Sequence, residues 1–270
     1  IAYLIRRLDE NTEAENFLRY SFDLKTDSKE WEFLEKQFVA SCKHKIRVHH
    51  TPNRNQNRLQ NLFPEKMGTF YKNEFNNEPD TDWSLASNRA WAEEIRKKWF
   101  RSGSDKPVHI PLVKAGGEIF NNRPMGSCMD HSRLPEKICI ATYVKAVDTD
   151  VDLALAKAMD DPDGWRSKDI NQRHEILSRV AMELRKARGE LIGAAAAETG
   201  KIFSEADAEV SEAVDFAEYY PFSAKEISDL KNIRSRGRGV GLVISPWNFP
   251  IAIPCGGIIW MDPDGWRDSS

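Results

Sequence analysis

The chain is poor in everything that would tie it to an export route, a membrane or a polyanion. Its 270 residues contain four cysteines, Cys42, Cys128, Cys139 and Cys255, widely scattered and with no C-x-x-C pair. That spacing excludes a disulfide framework and a cysteine zinc site, and favours reduced thiols. No apolar run approaches the roughly 20 residues that a spanning helix needs. The longest, from Ile251 to Trp260, is interrupted by Pro254, Gly256 and Gly257. The formal net charge is only -3, which gives no overall pull toward nucleic acid or anionic lipid. The chain opens Ile1-Ala2-Tyr3, without Met and without a basic-then-apolar leader, and so reads as a piece of a longer protein. Charged residues make up 30% of it and the mean hydropathy is -0.58, which predicts a cytoplasmic protein acting on small molecules.

What is there in strength lies near the end. Val240-Gly241-Leu242-Val243-Ile244 is a short apolar run suited to a buried strand, and Ser245-Pro246-Trp247-Asn248-Phe249-Pro250 is a stiff, polar-tipped turn. The two prolines fix φ at both ends and so hold Trp247, Asn248 and Phe249 in set directions. The C-terminal ends of strands in open α/β sheets are where ligands bind. A neutral amide such as Asn248 can donate to a developing oxyanion without titrating, and a fixed Trp offers a flat apolar wall. The plainer reading is a proline-rich turn after a core strand.

The length of the motif decides between them. Ile244 to Pro250 resembles the cofactor-binding signature of the aldehyde dehydrogenase superfamily. The resemblance implies that Ile244, Ser245, Pro246 and Trp247 line an NAD site and that the Asn248 amide donates to the oxyanion of a thiohemiacetal. Gly237, Gly239 and Gly241 are not a dinucleotide fingerprint, because such glycines follow a strand and open a helix, whereas these precede the strand.

At the other end, Tyr3, Arg6, Arg7 and Glu10 follow i, i+3, i+4, i+7 spacing on one face of a helix end. Paired guanidinium groups beside a Tyr can grip a carboxylate bidentately, and an ordinary solvated face with an Arg6–Glu10 pair is the plainer alternative. The string Tyr3-Leu4-Ile5-Arg6-Arg7-Leu8-Asp9-Glu10-Asn11 resembles the signature on the last barrel helix of proline dehydrogenase, a flavoenzyme. That implies substrate contacts for Tyr3, Arg6 and Arg7, and FAD in the full-length parent.

Between the ends, the spacing predicts short helices over 16–22 and 29–40, the second capped by Asp27 or Ser28, packing on a core. Residues 42–61 are basic and histidine-rich but lack metal-ligand spacing or interleaved aromatics, so they predict a linker. The acidic turn from Asn77 to Asp82 predicts a solvated domain entry, followed by a helix with Ser87 or Asn88 near its cap and Trp91, Ile95 and Trp99 at helical spacing. Further on, residues 138–147 predict a strand and 148–159 a helix. Asp169 with Gln172 opens a capped helix carrying Ile176, Leu177, Val180 and Leu184. A small-residue helix closes at Gly200, and another runs from Ser204 to about Tyr220, both taken as scaffold.

The order of the motifs resembles the bifunctional proline-utilisation flavoenzymes, and the likeness runs to about Ile259. It implies an α/β fragment joining the last helix of a proline dehydrogenase (βα)8 barrel to the N-terminal part of an aldehyde dehydrogenase Rossmann-like NAD-binding domain. The implied domains are the barrel end at 1–22, a helical connector and basic linker at 23–73, the aldehyde dehydrogenase part at 74–259 and an aberrant tail at 260–270. That tail, from Met261 to Asp268, nearly repeats Met159 to Arg166. By the same likeness the parent oxidises L-proline on FAD. Pyrroline-5-carboxylate then opens to L-glutamate γ-semialdehyde, and NAD-dependent oxidation gives L-glutamate. The partners implied are these small molecules, a second copy of the chain, and a peripheral membrane or quinone contact of the parent; no metal and no nucleic acid. The family's catalytic cysteine and general base fall beyond the matched stretch. Cys255, on a helix behind the motif, is no substitute for that cysteine, so the chain alone is expected to be inactive. Two rivals are a monofunctional aldehyde dehydrogenase, which leaves Tyr3 to Asn11 unexplained, and a non-catalytic binding protein.

Overall fold

A computed structural model of the chain describes residues 8, 11–14, 16–22, 24–44, 54–60, 75–100, 105–133, 136–228, 230 and 239–261. Tyr3, Arg6 and Arg7, most of the basic stretch and residues 262–270 lie outside them. The chain divides into two compact units, residues 1–55 and 56–270.

In the first unit, a 3-10 turn at Phe17–Arg19 is opened by Asn16, whose side chain accepts from Leu18 N at 2.9 Å. Helix α1, Lys29–His44, follows, with Ser28 Oγ accepting from Trp31 N at 3.2 Å and acidic residues in the first turn where the helix dipole favours them. The predicted core packing is not found. No residue of α1 is buried and Phe38 is 69% exposed, because the described residues of this unit supply only isolated contacts such as Tyr20 on Phe33.

The second unit is α/β. Helix α2, Ala86–Trp99, is followed by strands β1 (Val108–Ile110), β2 (Leu112–Lys114), β3 (Gly117–Ile119), β4 (Met125–Met129) and β5 (Cys139–Val144). The sheet order is β1-β5-β4, with β1 parallel and β4 antiparallel to β5; β2 and β3 form a separate hairpin. The hairpin turns on Ala115 and Gly116, both at positive φ (51° and 81°), the geometry that matches strand twist in two-residue loops. Four helices complete the order: α3 (Asp148–Asp160), α4 (Ile170–Lys186), α5 (Arg188–Thr199) and α6 (Phe203–Ser228), before the terminal α7 (Ala252–Met261).

Helix α6 is the centre of this unit. Its alanines and valines let neighbours approach closely, so Val214 and Ala217 pack with Leu177 and Ala181 of α4 and Ile259 of α7, while Ala206 and Val210 pack with Ile192 and Ala195 of α5. Each large apolar side chain so buried contributes about 1.5–3 kcal/mol. Gly256 allows α7 its position: a Cβ there would lie 2.7 Å from the Phe216 ring. Among the described residues, no helix is long and apolar enough to cross a membrane.

The acidic turn is anchored at Glu78 and Thr81, while Asn77, Pro79 and Asp80 stay exposed. Glu78 pairs with Arg185 (2.9 Å) and Arg188 (3.0 Å), and Asp207 of α6 accepts from Thr81 N and Oγ1 at 2.6 and 2.7 Å while pairing with Arg188 at 2.8 Å. Such buried charges persist only when fully partnered. Asn88 lies near the cap as expected, as the third residue of α2, where it is buried and its Oδ1 accepts from Arg58 N at 2.9 Å. The capping box at Asp169 and Gln172 forms as predicted, and Gly200 ends α5 at φ 73°. Helix α6 continues past Tyr220 to Ser228 with Pro221 inside it.

Candidate functional site

The run from Val240 to Ile244 forms no strand. A strand requires a neighbouring edge to take its N–H and C=O groups, and no described strand lies beside this one. The apolar side chains therefore face outward: Leu242 is 77% and Ile244 84% exposed. Val243 is the exception, resting against Gly257 of α7, where a Cβ would come within 2.7 Å of its Cγ1.

Beyond it, Trp247 and Asn248 form the turn between Pro246 and Pro250, and α7 starts at Ala252. Trp247 is 79% exposed, and Asn248 is exposed beside it. Ser245 differs, because its Oγ is buried with no hydrogen-bond partner among the described residues. The turn overhangs a cleft of about 540 Å³ lined by Trp247, Asn248 and Phe249, by the α5–α6 corner at Thr199 to Lys201, and by Glu205, Ala208, Glu209 and Glu212.

The floor of the cleft is one face of α6, since Glu205, Glu209 and Glu212 follow i, i+4, i+7 spacing. Glu209 is buried. Its Oε2 accepts from Ile251 N at 3.0 Å and Ala252 N at 3.2 Å, and its Oε1 accepts from Lys201 Nζ. The Lys201 ammonium also lies 4.3 Å from the centre of the Phe249 ring. Sequence reasoning placed this corner and helix as scaffold. The signal that would have found them is three carboxylates at helical spacing on a face otherwise made of alanine.

Cys255 is part-buried on α7, and burial pushes its thiol up to about 11. It is protonated at neutral pH and has no activating base among the described residues, which makes it a packing residue.

Of the residues the sequence singles out, Trp247 and Asn248 line the cleft, whereas Ile244, Ser245 and Pro246 precede them on the same loop and are not among its lining residues. Tyr3, Arg6 and Arg7 lie outside the described residues.

Comparison with known proteins gives this segment a family. Residues 131–260 match the aldehyde dehydrogenase family. The chain is 33% identical over 195 residues to 1-pyrroline-5-carboxylate dehydrogenase of Staphylococcus epidermidis, covering 67% of this chain and 36% of that protein. The Bacillus cytotoxicus protein of the same name is 32% identical over 193 residues, with 67% and 36% covered. Among solved structures, 1-pyrroline-5-carboxylate dehydrogenase from Thermus with bound NAD superposes with a TM-score of 0.63 at 27% identity, covering 72% of this chain and 39% of that one. Proline utilization A from Bdellovibrio bacteriovorus superposes with a TM-score of 0.64 over 97% of this chain and 26% of that one, a likeness of fold at 24% identity. The chain spans about a third of the length of the curated relatives it matches (36%). By this match, the stretch from residue 131 to residue 260 belongs to the aldehyde dehydrogenase family.

Proposed function

We propose that the chain is a segment of a bifunctional oxidoreductase of proline catabolism. Its parent oxidises L-proline to pyrroline-5-carboxylate with FAD and L-glutamate γ-semialdehyde to L-glutamate with NAD. The observation that carries the second activity is the loop itself: Trp247, 79% exposed, and Asn248 line a cleft, and Ile244, 84% exposed, precedes them on the same loop. Support comes from relatives named for that reaction and from the NAD bound in the Thermus structure.

The loop fits a dinucleotide. Ile244 and Trp247 offer apolar surface that no described residue covers, and the buried Ser245 hydroxyl has no hydrogen-bond partner among the described residues. Ile244, Ser245, Pro246 and Trp247 would hold the cofactor, which when bound supplies the hydride acceptor. Asn248 would donate its side-chain N–H to the substrate aldehyde oxygen as that oxygen gains negative charge, a preorganised donor typically worth about 3–4 kcal/mol in acyl-transfer sites. The prolines on either side keep that donor from reorienting. Tyr3, Arg6 and Arg7 would hold the proline carboxylate.

The domain reading follows: 1–22 closes the flavin barrel, 23–73 connects, 74–259 begins the aldehyde dehydrogenase part, and 260–270 departs from the pattern. The parent acts in the cytoplasm as a homo-oligomer on small molecules.

Three measurements test this. Isothermal titration of the 270-residue chain with NAD should show binding that Ile244→Asp abolishes; no binding by the unsubstituted 270-residue chain sinks the cofactor assignment. The purified chain should oxidise neither L-proline nor the semialdehyde, and turnover by it overturns the reading of a segment. Sequencing the flanking coding DNA should supply the barrel on one side and the cysteine and glutamate on the other in one frame.

A further inference from the structure

The turn that carries Asn248 is fixed at two points. Val243 rests on Gly257 on one side, and on the other the chain re-enters the fold at Ile251 and Ala252. Both amides at that second point are captured by a single carboxylate from a different helix, that of Glu209.

We propose that Glu209, together with Lys201, is a positioning residue: it sets the Trp247–Phe249 turn and thereby aims the Asn248 amide over the cleft. The role rests on the reading of Asn248 as the oxyanion donor.

The first N–H groups of any helix lack intrahelical acceptors, and Pro250, lacking an N–H, leaves Ile251 and Ala252 as the first donors entering α7. Glu209 Oε2 accepts from both, at 3.0 and 3.2 Å, where the dipole of α7 favours a negative charge. Its other oxygen accepts from the Lys201 ammonium, and that ammonium stands 4.3 Å from the Phe249 ring, one residue beyond Asn248. The carboxylate is 3% exposed. A charge so buried is stable only while all of its partners stay in place, so the cost of exposing or unpairing it falls on any movement of the turn. Helix α6 is held by two apolar clusters, which gives Glu209 a rigid base. A loop residue with no regular backbone pairing thereby acquires the fixed direction that a preorganised donor needs.

The test is nuclear magnetic resonance on the isotope-labelled 270-residue chain and two variants at Glu209. In Glu209→Ala, amide exchange at Ile251 and Ala252 should rise at least about tenfold, and the Asn248 side-chain amide and Trp247 indole signals should move, while Ala181 and Val214 keep their protection. Glu209→Gln retains an acceptor oxygen and should restore protection of the two amides while leaving the Phe249 ring signals shifted, because Lys201 loses its counter-charge. The proposal is overturned if Asn248 and Trp247 signals stay put and exchange changes less than about twofold in Glu209→Ala. Should that variant not fold, Lys201→Met decides: movement of the Phe249 and Asn248 signals supports the proposal, and unchanged signals overturn it. NAD titration of the unsubstituted chain is read separately. Failure to bind removes the functional reading of the loop, yet leaves the exchange data to report whether Glu209 sets the turn.

Discussion

Two stretches of this chain look alike on paper and end differently. Residues 138–147 and 240–244 are both short and rich in β-formers, and both predict a strand, the second a buried one. The first becomes β5, paired on both edges, with Ile138, Ile140, Ala141 and Val144 no more than 8% exposed. The second pairs with nothing described and shows Leu242 and Ile244 to solvent. The difference lies in the neighbours and not in the residues. An apolar run satisfied on both sides is core, and one left uncovered beside a polar-tipped turn is a surface that a ligand or another part of the fold would cover.

The comparison can be broken by substitution. Ile140→Ala should lower unfolding stability by about 2–4 kcal/mol, because its cavity sits in a sheet closed on both edges. Ile244→Ala should change stability by less than about 0.5 kcal/mol, since that side chain is 84% exposed. Urea midpoints of the two variants measure both. Equal losses would mean that residues 240–244 are as well supported as β5.

A smaller effect sharpens what holds the loop. Gly256→Ala places a methyl 2.7 Å from the Phe216 ring, which must move or push α7 away from α6. The expected cost is about 1–3 kcal/mol, typical of overpacking, and thermal melting reads it. Because α7 carries Gly257 and the amides of its first turn, this variant should also disturb the Trp247 environment, whereas Ile140→Ala should not.

Acid probes the ordered end of the comparison more gently. Arg123 donates to Asp150 through Nε at 2.7 Å and Nη2 at 2.9 Å, Lys114 at 2.6 Å and Val147 N at 3.0 Å. These bonds, led by Arg123, hold its carboxyl well below the usual carboxylate range. A depressed folded-state pKa means that the stabilisation is present above the unfolded value of about 4 and is lost as pH falls below it. The melting temperature should therefore fall below about pH 4, and Asp150→Asn, already weakened at neutral pH, should lose less of its own stability on acidification. A variant that declines as steeply as the unsubstituted chain would remove Asp150 from the account.

The same contrast explains how much was legible in the sequence. Helices with strong punctuation were: the capping box at Asp169, the Gly200 terminus and the β-rich run of β5 all form where local chemistry puts them. The other four strands were missed. Each has three to five residues, and β1 to β3 are mostly exposed, so hydrophobic periodicity has too little to work on. The anchoring of Glu78 by Arg185 and Arg188 joins residues over a hundred positions apart, which no local pattern encodes. The loop from Ile244 to Asn248 was found because prolines and a tryptophan in a fixed order are a local signal. Glu209 was not, because its partners at the turn are the backbone amides of Ile251 and Ala252, which any residue but proline would have supplied.

The smallest expected effect is at Trp247. Its side chain is 79% exposed, so truncation to Ala removes little buried surface and should shift stability by less than about 0.5 kcal/mol. A large aromatic is costly to leave in water, which makes a stability-neutral Trp at this point informative only through what it binds. The same Trp247→Ala variant should weaken NAD binding by about 1–2 kcal/mol, or roughly five- to thirtyfold, in parallel titrations. If stability falls with affinity, Trp247 is packing against the fold and the wall it offers is structural. If affinity alone falls, the exposure of residues 240–247 is the uncovered face of a binding site, and the two apolar runs differ by purpose as well as by neighbours.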